Sequence, residues 1–158
     1  MTEVDRSGLV LAANLAGDDQ TDTRLLREMH ARARTFLANF GWCKEIREIS
    51  FGLGVGGIVA VFLCDIVPAA EDVDETMWIV VGDLPSAVII VDDSPDAESA
   101  LTTYLAEMRA WVAAVRSGDA TALEDCLPVN VAPTEEWAAR LESRMNSLQE
   151  LFLSTSPL

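Results

Sequence analysis

The chain of 158 residues is half apolar, which is enough for one domain with a core of its own. Its formal net charge of −15, from 26 acids and 11 bases, disfavours contact with phosphate backbones and anionic lipids, so neither nucleic acid nor a membrane is an expected partner. The longest apolar run, residues 54–64, is too short to span a bilayer, and the first residues are acidic where a secretory signal is basic. We therefore expect a cytoplasmic location.

The predicted elements begin after a loose N-terminal arm, residues 1–20, and a single domain is expected over residues 21–158. Apolar residues recur at helical spacing from Thr21, with a cap at Asp22 or Thr23 and an end at Gly41. The polar side of this first helix holds four arginines: Arg24, Arg27, Arg32 and Arg34.

Four strands are predicted next. Residues 49–55 alternate apolar and small residues, and a Gly-Gly pair at 56–57 joins them to a β-branched run at 58–67, which is typical of a hairpin. A polar segment, residues 68–75, separates this hairpin from a second one, with strands at 77–81 and 87–91 and a turn at 82–85.

Two further helices are predicted. Ser94 as cap and Pro95 at the first helical position open the second helix, which ends at Gly118, and Thr134 caps the third. The connector contains a short extended piece, residues 128–131. The order α-β-β-β-β-α-α indicates an α+β fold, a four-stranded antiparallel sheet with helices on one face.

Sequence motifs provide no catalytic signature and no cofactor site. Residues 52–57 satisfy G-x-G-x-x-G, but a dinucleotide site needs a helix directly after the glycines, and a β-branched run follows instead. The acids at 92, 93 and 96 are explained by the start of a helix, where negative charge is favourable, and no segment has the pattern of a calcium loop.

The cysteines and the histidine do not predict a metal site either. Cys43, Cys64 and Cys126 are widely spaced, and His30 is the only histidine, which excludes an ordinary structural zinc site. We expect three reduced thiols, with Cys64 buried in a strand, and a solvated His30 beside the arginines.

The charge distribution provides the main functional prediction. Residues 48–108 contain no lysine or arginine, and anionic loops there favour a basic protein partner, although such loops also protect a sheet from aggregation. The predicted partner-binding residues are Glu71, Asp72, Asp74, Glu75, Asp83, Asp92, Asp93 and Trp78.

Several alternatives remain open at this stage. One is self-association, in which the arginine face of the first helix of one copy meets the acidic body of another. A second is a carboxylate-dependent hydrolase using Asp65, Asp83 or Asp92. The four tryptophans are expected in the core, with an aromatic partner site as the minority interpretation.

Residues 78–85, Trp-Ile-Val-Val-Gly-Asp-Leu-Pro, together with residues 92–95 and the helix around Trp111, resemble a family of small acidic bacterial proteins. That resemblance implies no activity. In size, acidity and α+β composition the chain is also similar to immunity proteins that block bacterial toxins and to acidic secretion chaperones. The prediction is a non-enzymatic, immunity-like binding protein, with a secretion-type chaperone or the hydrolase as alternatives.

Overall fold

The computed structural model describes residues 4–124, 126 and 132–153, apart from the side chains of residues 93, 152 and 153. The strands are β1 (Val10–Leu11), β2 (Cys43–Val55), β3 (Val59–Pro68), β4 (Thr76–Gly82) and β5 (Leu84–Ile90). The helices are α1 (Gln20–Ala38), α2 (Ala97–Ser117), α3 (Ala120–Glu124) and α4 (Glu135–Leu148). The predicted extended piece at 128–131 lies outside the described residues.

The sheet is an antiparallel meander in which every strand pairs with its neighbour in sequence, in the order β1-β2-β3-β4-β5. The α+β class is confirmed. The predicted number of strands is wrong, because Val10 and Leu11, within the expected loose arm, pair with Phe51 and Ser50 of β2. The order of elements accordingly starts with a strand and not with a helix.

The prediction that helices cover one face of the sheet is also wrong. Alternate residues of β3 point to opposite sides: Leu63 packs with α2 and α4, whereas Phe62 packs with α1. Both faces of the central strands are therefore buried, one under α1 and the other under α2 and α4. This explains why β3 and β4 are continuously apolar rather than alternating.

The helix starts are set by side-chain caps. The α1 cap is Asp19, whose carboxylate accepts from the amide of Asp22, so the prediction of Asp22 or Thr23 is displaced by three or four residues. Asp96, not Ser94, caps α2, and a reciprocal bond with Ser99 completes a capping box. Thr134 caps α4 as predicted.

The Gly-rich segment forms the β2–β3 hairpin, as predicted. Gly57 has φ +80°, a conformation that glycine adopts without strain. A Cβ atom on Gly56 would lie 2.7 Å from Leu25 Cβ, and the amide of Gly56 donates to Asp22 Oδ1 at 2.6 Å. These glycines thus let the hairpin turn lie against the first turn of α1.

Candidate functional site

An acidic depression of about 740 Å³ lies at one end of the sheet. The loop at residues 69–75, between β3 and β4, forms one wall, and Val91 and Asp92, which follow β5, form the other. Val4 of the N-terminal segment also lines it. The wall residues meet because the end of β3, the start of β4 and the end of β5 lie at the same end of the antiparallel sheet.

Backbone contacts and one apolar side chain anchor this loop. The amide of Ala69 donates to the carbonyl of Trp42 at 2.8 Å, and the amide of Ile66 donates to that of Glu75 at 2.8 Å. Val73 is half-buried against the core under α1. The acidic side chains between these anchors project into solvent, and they are Glu71, Asp72, Asp74 and Glu75.

The carboxylates of this loop differ from other acids of the protein in their contacts. Asp65 pairs with Arg6 at 2.8 Å, and Asp83 pairs with Arg144 at 3.1 Å. Within the described part of the chain, no ion pair involves Glu71, Asp72, Asp74 or Glu75. The negative charge of these four side chains is therefore not neutralised by any basic side chain that the structure describes.

The structure brings together four of the predicted partner-binding residues as lining of the depression: Glu71, Asp74, Glu75 and Asp92. Asp72 lies exposed in the same loop. The backbone of Asp93 belongs to the short 3₁₀ turn Val91–Asp93, and its side chain is outside the described atoms. Asp83 lies in the β4–β5 turn at the opposite end of the sheet, about 20 Å away along the seven residues of β4.

Trp78 is not a surface residue, so its prediction as a partner-binding residue is wrong. Its side chain is 0 % exposed. The indole Nε1 donates a 2.6 Å hydrogen bond to the carbonyl of Ser94, and the ring packs under α2. It lies on a strand with both faces covered, where an aromatic residue has no route to a partner.

The acids named for a hydrolase do not form one catalytic pair. Burial opposes ionisation of Asp65, but hydrogen bonds from Arg6 and Thr76 outweigh this effect and hold its pKa below the ordinary value. An acid held in its ionised form is a poor proton donor. Asp83 is at the far end of the sheet, so it cannot act together with Asp92.

His30 is half-buried rather than solvated, because α1 turns it toward the sheet. Its ring centroid lies 5.9 Å from that of Phe62, and its Nε2 is buried without a hydrogen-bond partner. Burial, together with the charge of Arg34, lowers its pKa. Desolvation raises the pKa of Cys64, which is buried in β3 as predicted, so this thiol is an inert core residue.

A second depression, of about 400 Å³, lies at the start of β5 and was not predicted as a site. Gly82, Leu84 and Ser86 form its floor, and side chains from α1 and α4 form its walls: Arg32, Phe36, Trp137, Leu141 and Arg144. Arg32 donates to the carbonyl of Gly82 at 3.0 Å. Only the helical spacing of Arg32 and Phe36 hinted at a shared surface, and nothing local connected them with α4.

The chain matches no family model, no curated protein and no solved structure. The fold and the two depressions therefore carry the functional argument. None of the helices in the described ranges has the length and apolar character needed to cross a bilayer. Across those same ranges, no three His, Cys, Asp or Glu side chains converge as metal ligands would.

Proposed function

We propose that the protein is a non-enzymatic binding protein that takes a basic protein partner at the acidic depression. The observation that carries this proposal is the set of four carboxylates lining one anchored concave surface, with no basic side chain among the lining residues. Converging charges of one sign raise the local concentration of an opposite charge and accelerate association. The class is the immunity-like one that the acidity of the sequence predicts.

The loop supports this function because its charge is exposed while its backbone is fixed. The contacts of Ala69, Val73 and Glu75 hold the loop in place before a partner arrives. A preorganised surface loses little conformational entropy on binding. Lysine or arginine side chains of a partner would replace water around Glu71, Asp74 and Glu75.

The test uses two triple variants with the same change in charge. The site variant carries Glu71→Gln, Asp74→Asn and Glu75→Gln. The control carries Glu45→Gln, Glu48→Gln and Glu124→Gln, three exposed acids outside the lining of the depression. Each tagged protein is used for affinity purification from the host at low salt, and the recovered partner is then purified for titration calorimetry.

We expect one basic partner that the wild type and the control retain and the site variant loses. Its affinity should fall by about ten-fold or more when salt rises from about 50 to about 500 mM, because the Debye length shortens. A partner retained equally by the site variant, or one whose affinity ignores salt, would overturn the proposal. The immunity-like function predicts a folded toxin that is inhibited, whereas the chaperone alternative predicts an exported client bound before it folds.

A further inference from the structure

The two edges of the sheet are protected to different degrees. The outer edge of β2 is covered by β1 only at Ser50 and Phe51, but the rest of that strand carries exposed charges and three register shifts. Charges and bulges discourage strand addition. The outer edge of β5 (Leu84–Ile90) has no charged residue, and its pairing with β4 is regular from Ala87 to Ile90. No strand among the described residues pairs with this edge, so it is the one to which another strand can add.

The direction of the backbone groups of β5 follows from the ladder. The amide of Ile66 donates a hydrogen bond to the carbonyl of Glu75, and the amide of Asp83 donates one to the carbonyl of Ile58. Given the register of the two strands, the even-numbered residues of β3 therefore form backbone hydrogen bonds with the odd-numbered residues of β4. The even residues of β4 then face β5, where Trp78 lies opposite Ile89 and Val80 opposite Ala87.

Three residues of β5 direct their backbone amides and carbonyls away from β4, toward the outer edge of the sheet. They are Ser86, Val88 and Ile90. On the side of the sheet covered by α1, Val88 is half-buried and Ile90 is 47 % exposed, since α1 packs mainly over β2, β3 and β4. The edge therefore offers both hydrogen-bonding groups and apolar side chains.

We infer that a second copy of this chain pairs its β5 antiparallel with this edge, about a two-fold axis at Val88, to form a ten-stranded sheet. In this register Ser86 lies opposite Ile90 of the second copy, and Val88 lies opposite Val88. The outward amides and carbonyls at positions 86, 88 and 90 then satisfy one another across the axis.

The second depression explains why the occupant is another copy. The exposed Ile90 side chain of one copy enters the groove beside Ser86 and Phe36 of the other, and the symmetry repeats this contact. The contact is an apolar one, and the net charge of −15 on each copy is screened beyond about 8 Å at physiological salt. This dimer is independent of the basic partner proposed above.

The test measures mass by sedimentation equilibrium from about 1 to about 100 μM protein. We expect the wild type to approach twice 17.1 kDa. Ile90→Lys should weaken the dimer by about ten-fold or more, because the lysine would have to be desolvated in the groove. Ile58→Lys is the matched control, since Ile58 is 41 % exposed at the hairpin turn and should leave the dimer unchanged. Thermal melts establish that both variants fold.

A second variant tests the two-fold axis. In a hydrogen-bonded antiparallel pair the Cα atoms lie about 5.5 Å apart, within the range of a disulfide. Val88→Cys should therefore form a covalent dimer under mild oxidation, with the wild type and its own three cysteines as the control. A monomeric wild type over the whole range overturns the inference. So does a dimer that is insensitive to Ile90→Lys and gives no Val88→Cys crosslink.

Discussion

Trp78 Nε1 and the carbonyl oxygen of Ser94 are joined by a 2.6 Å hydrogen bond that links the middle of β4 to the segment leading into α2. Both residues are fully buried, so water cannot replace either partner. The hydroxyl of Ser94 also lies 2.8 Å from that of Thr103, one further contact between this segment and α2. The start of α2 is thereby fixed relative to the sheet by polar contacts as well as by packing.

Trp78→Phe keeps an aromatic ring but leaves the Ser94 carbonyl without its donor. We expect a loss of about 2 kcal/mol or more in the free energy of unfolding, measured by urea denaturation. Trp111→Phe is the control, because Trp111 is also buried but forms no hydrogen bond with another described side chain. Its loss should be smaller. An unchanged midpoint for Trp78→Phe would contradict the importance of this bond.

Arg6→Gln removes a two-pronged contact with Asp65, whose oxygens lie 2.8 and 3.1 Å from the guanidinium. We expect a cost of about 1 kcal/mol at neutral pH, since the pair is partly exposed. Because the pKa of Asp65 is lowered in the folded state, this stability is fully present above about pH 4 and is lost as pH falls through the folded pKa. Denaturation midpoints at pH 7 and pH 3 check this.

A constant difference between wild type and Arg6→Gln at both pH values would argue against the ion pair as the cause. Arg24→Gln is the control for that experiment. Arg24 pairs with Glu28 on the exposed surface of α1, at 3.3 Å, and its removal should change stability by a few tenths of a kcal/mol at most.

The pKa of His30 should lie below the ordinary histidine value of about 6.5, because burial and the nearby charge of Arg34 disfavour its protonated form. The folded state then binds a proton less readily than the unfolded chain. Stability is complete above about pH 6.5 and falls as pH decreases toward the folded pKa. His30 is the only histidine, so its ring resonance can be followed directly by NMR.

Two variants complete the histidine experiment. Arg34→Gln should raise the pKa of His30 toward its ordinary value, and His30→Leu should remove the loss of stability between about pH 6.5 and pH 5. A His30 that titrates at or above its ordinary pKa would contradict the buried position of its Nε2.

Gly56→Ala places a methyl group against α1, where Leu25 Cβ would lie 2.7 Å away and the Asp22 carbonyl 2.8 Å away. We expect a loss of about 1–3 kcal/mol, since helix and hairpin must separate to admit it. Gly41→Ala is the control, because a Cβ there meets no atom within 4 Å. It should be neutral or stabilising. Chemical denaturation of both variants side by side measures the difference.

The sequence was most informative where a local signal determines structure. The Gly-rich hairpin, the Thr134 cap and the antiparallel strand pairs follow from short-range rules and were predicted. The number of faces covered by helices depends on packing between distant elements. The sequence does contain a signal that helices cover both faces of the sheet. The segments that form β3 and β4 are continuous apolar runs, which indicate burial on both sides.

The clustering of residues at the candidate site could be predicted in part for the same reason. Acids of one polar loop had to lie together, so Glu71, Asp74 and Glu75 were identified without knowledge of the fold. Asp83 was grouped with them by charge alone, although the length of β4 separates the two ends of the sheet. The groove formed by Phe36 and Trp137 joins residues a hundred positions apart, which no local pattern relates.

The meander order of the sheet has a consequence for how fast the chain acquires its structure. Every strand pairs with its neighbour in sequence, and only the connection through α1 between β1 and β2 is long. Short closures cost little entropy before the contacts form, so we expect folding to be faster than in sheets that pair distant strands. The hairpins from β2 to β5 supply the early contacts, and β1 joins the sheet only after α1 has closed the longest loop.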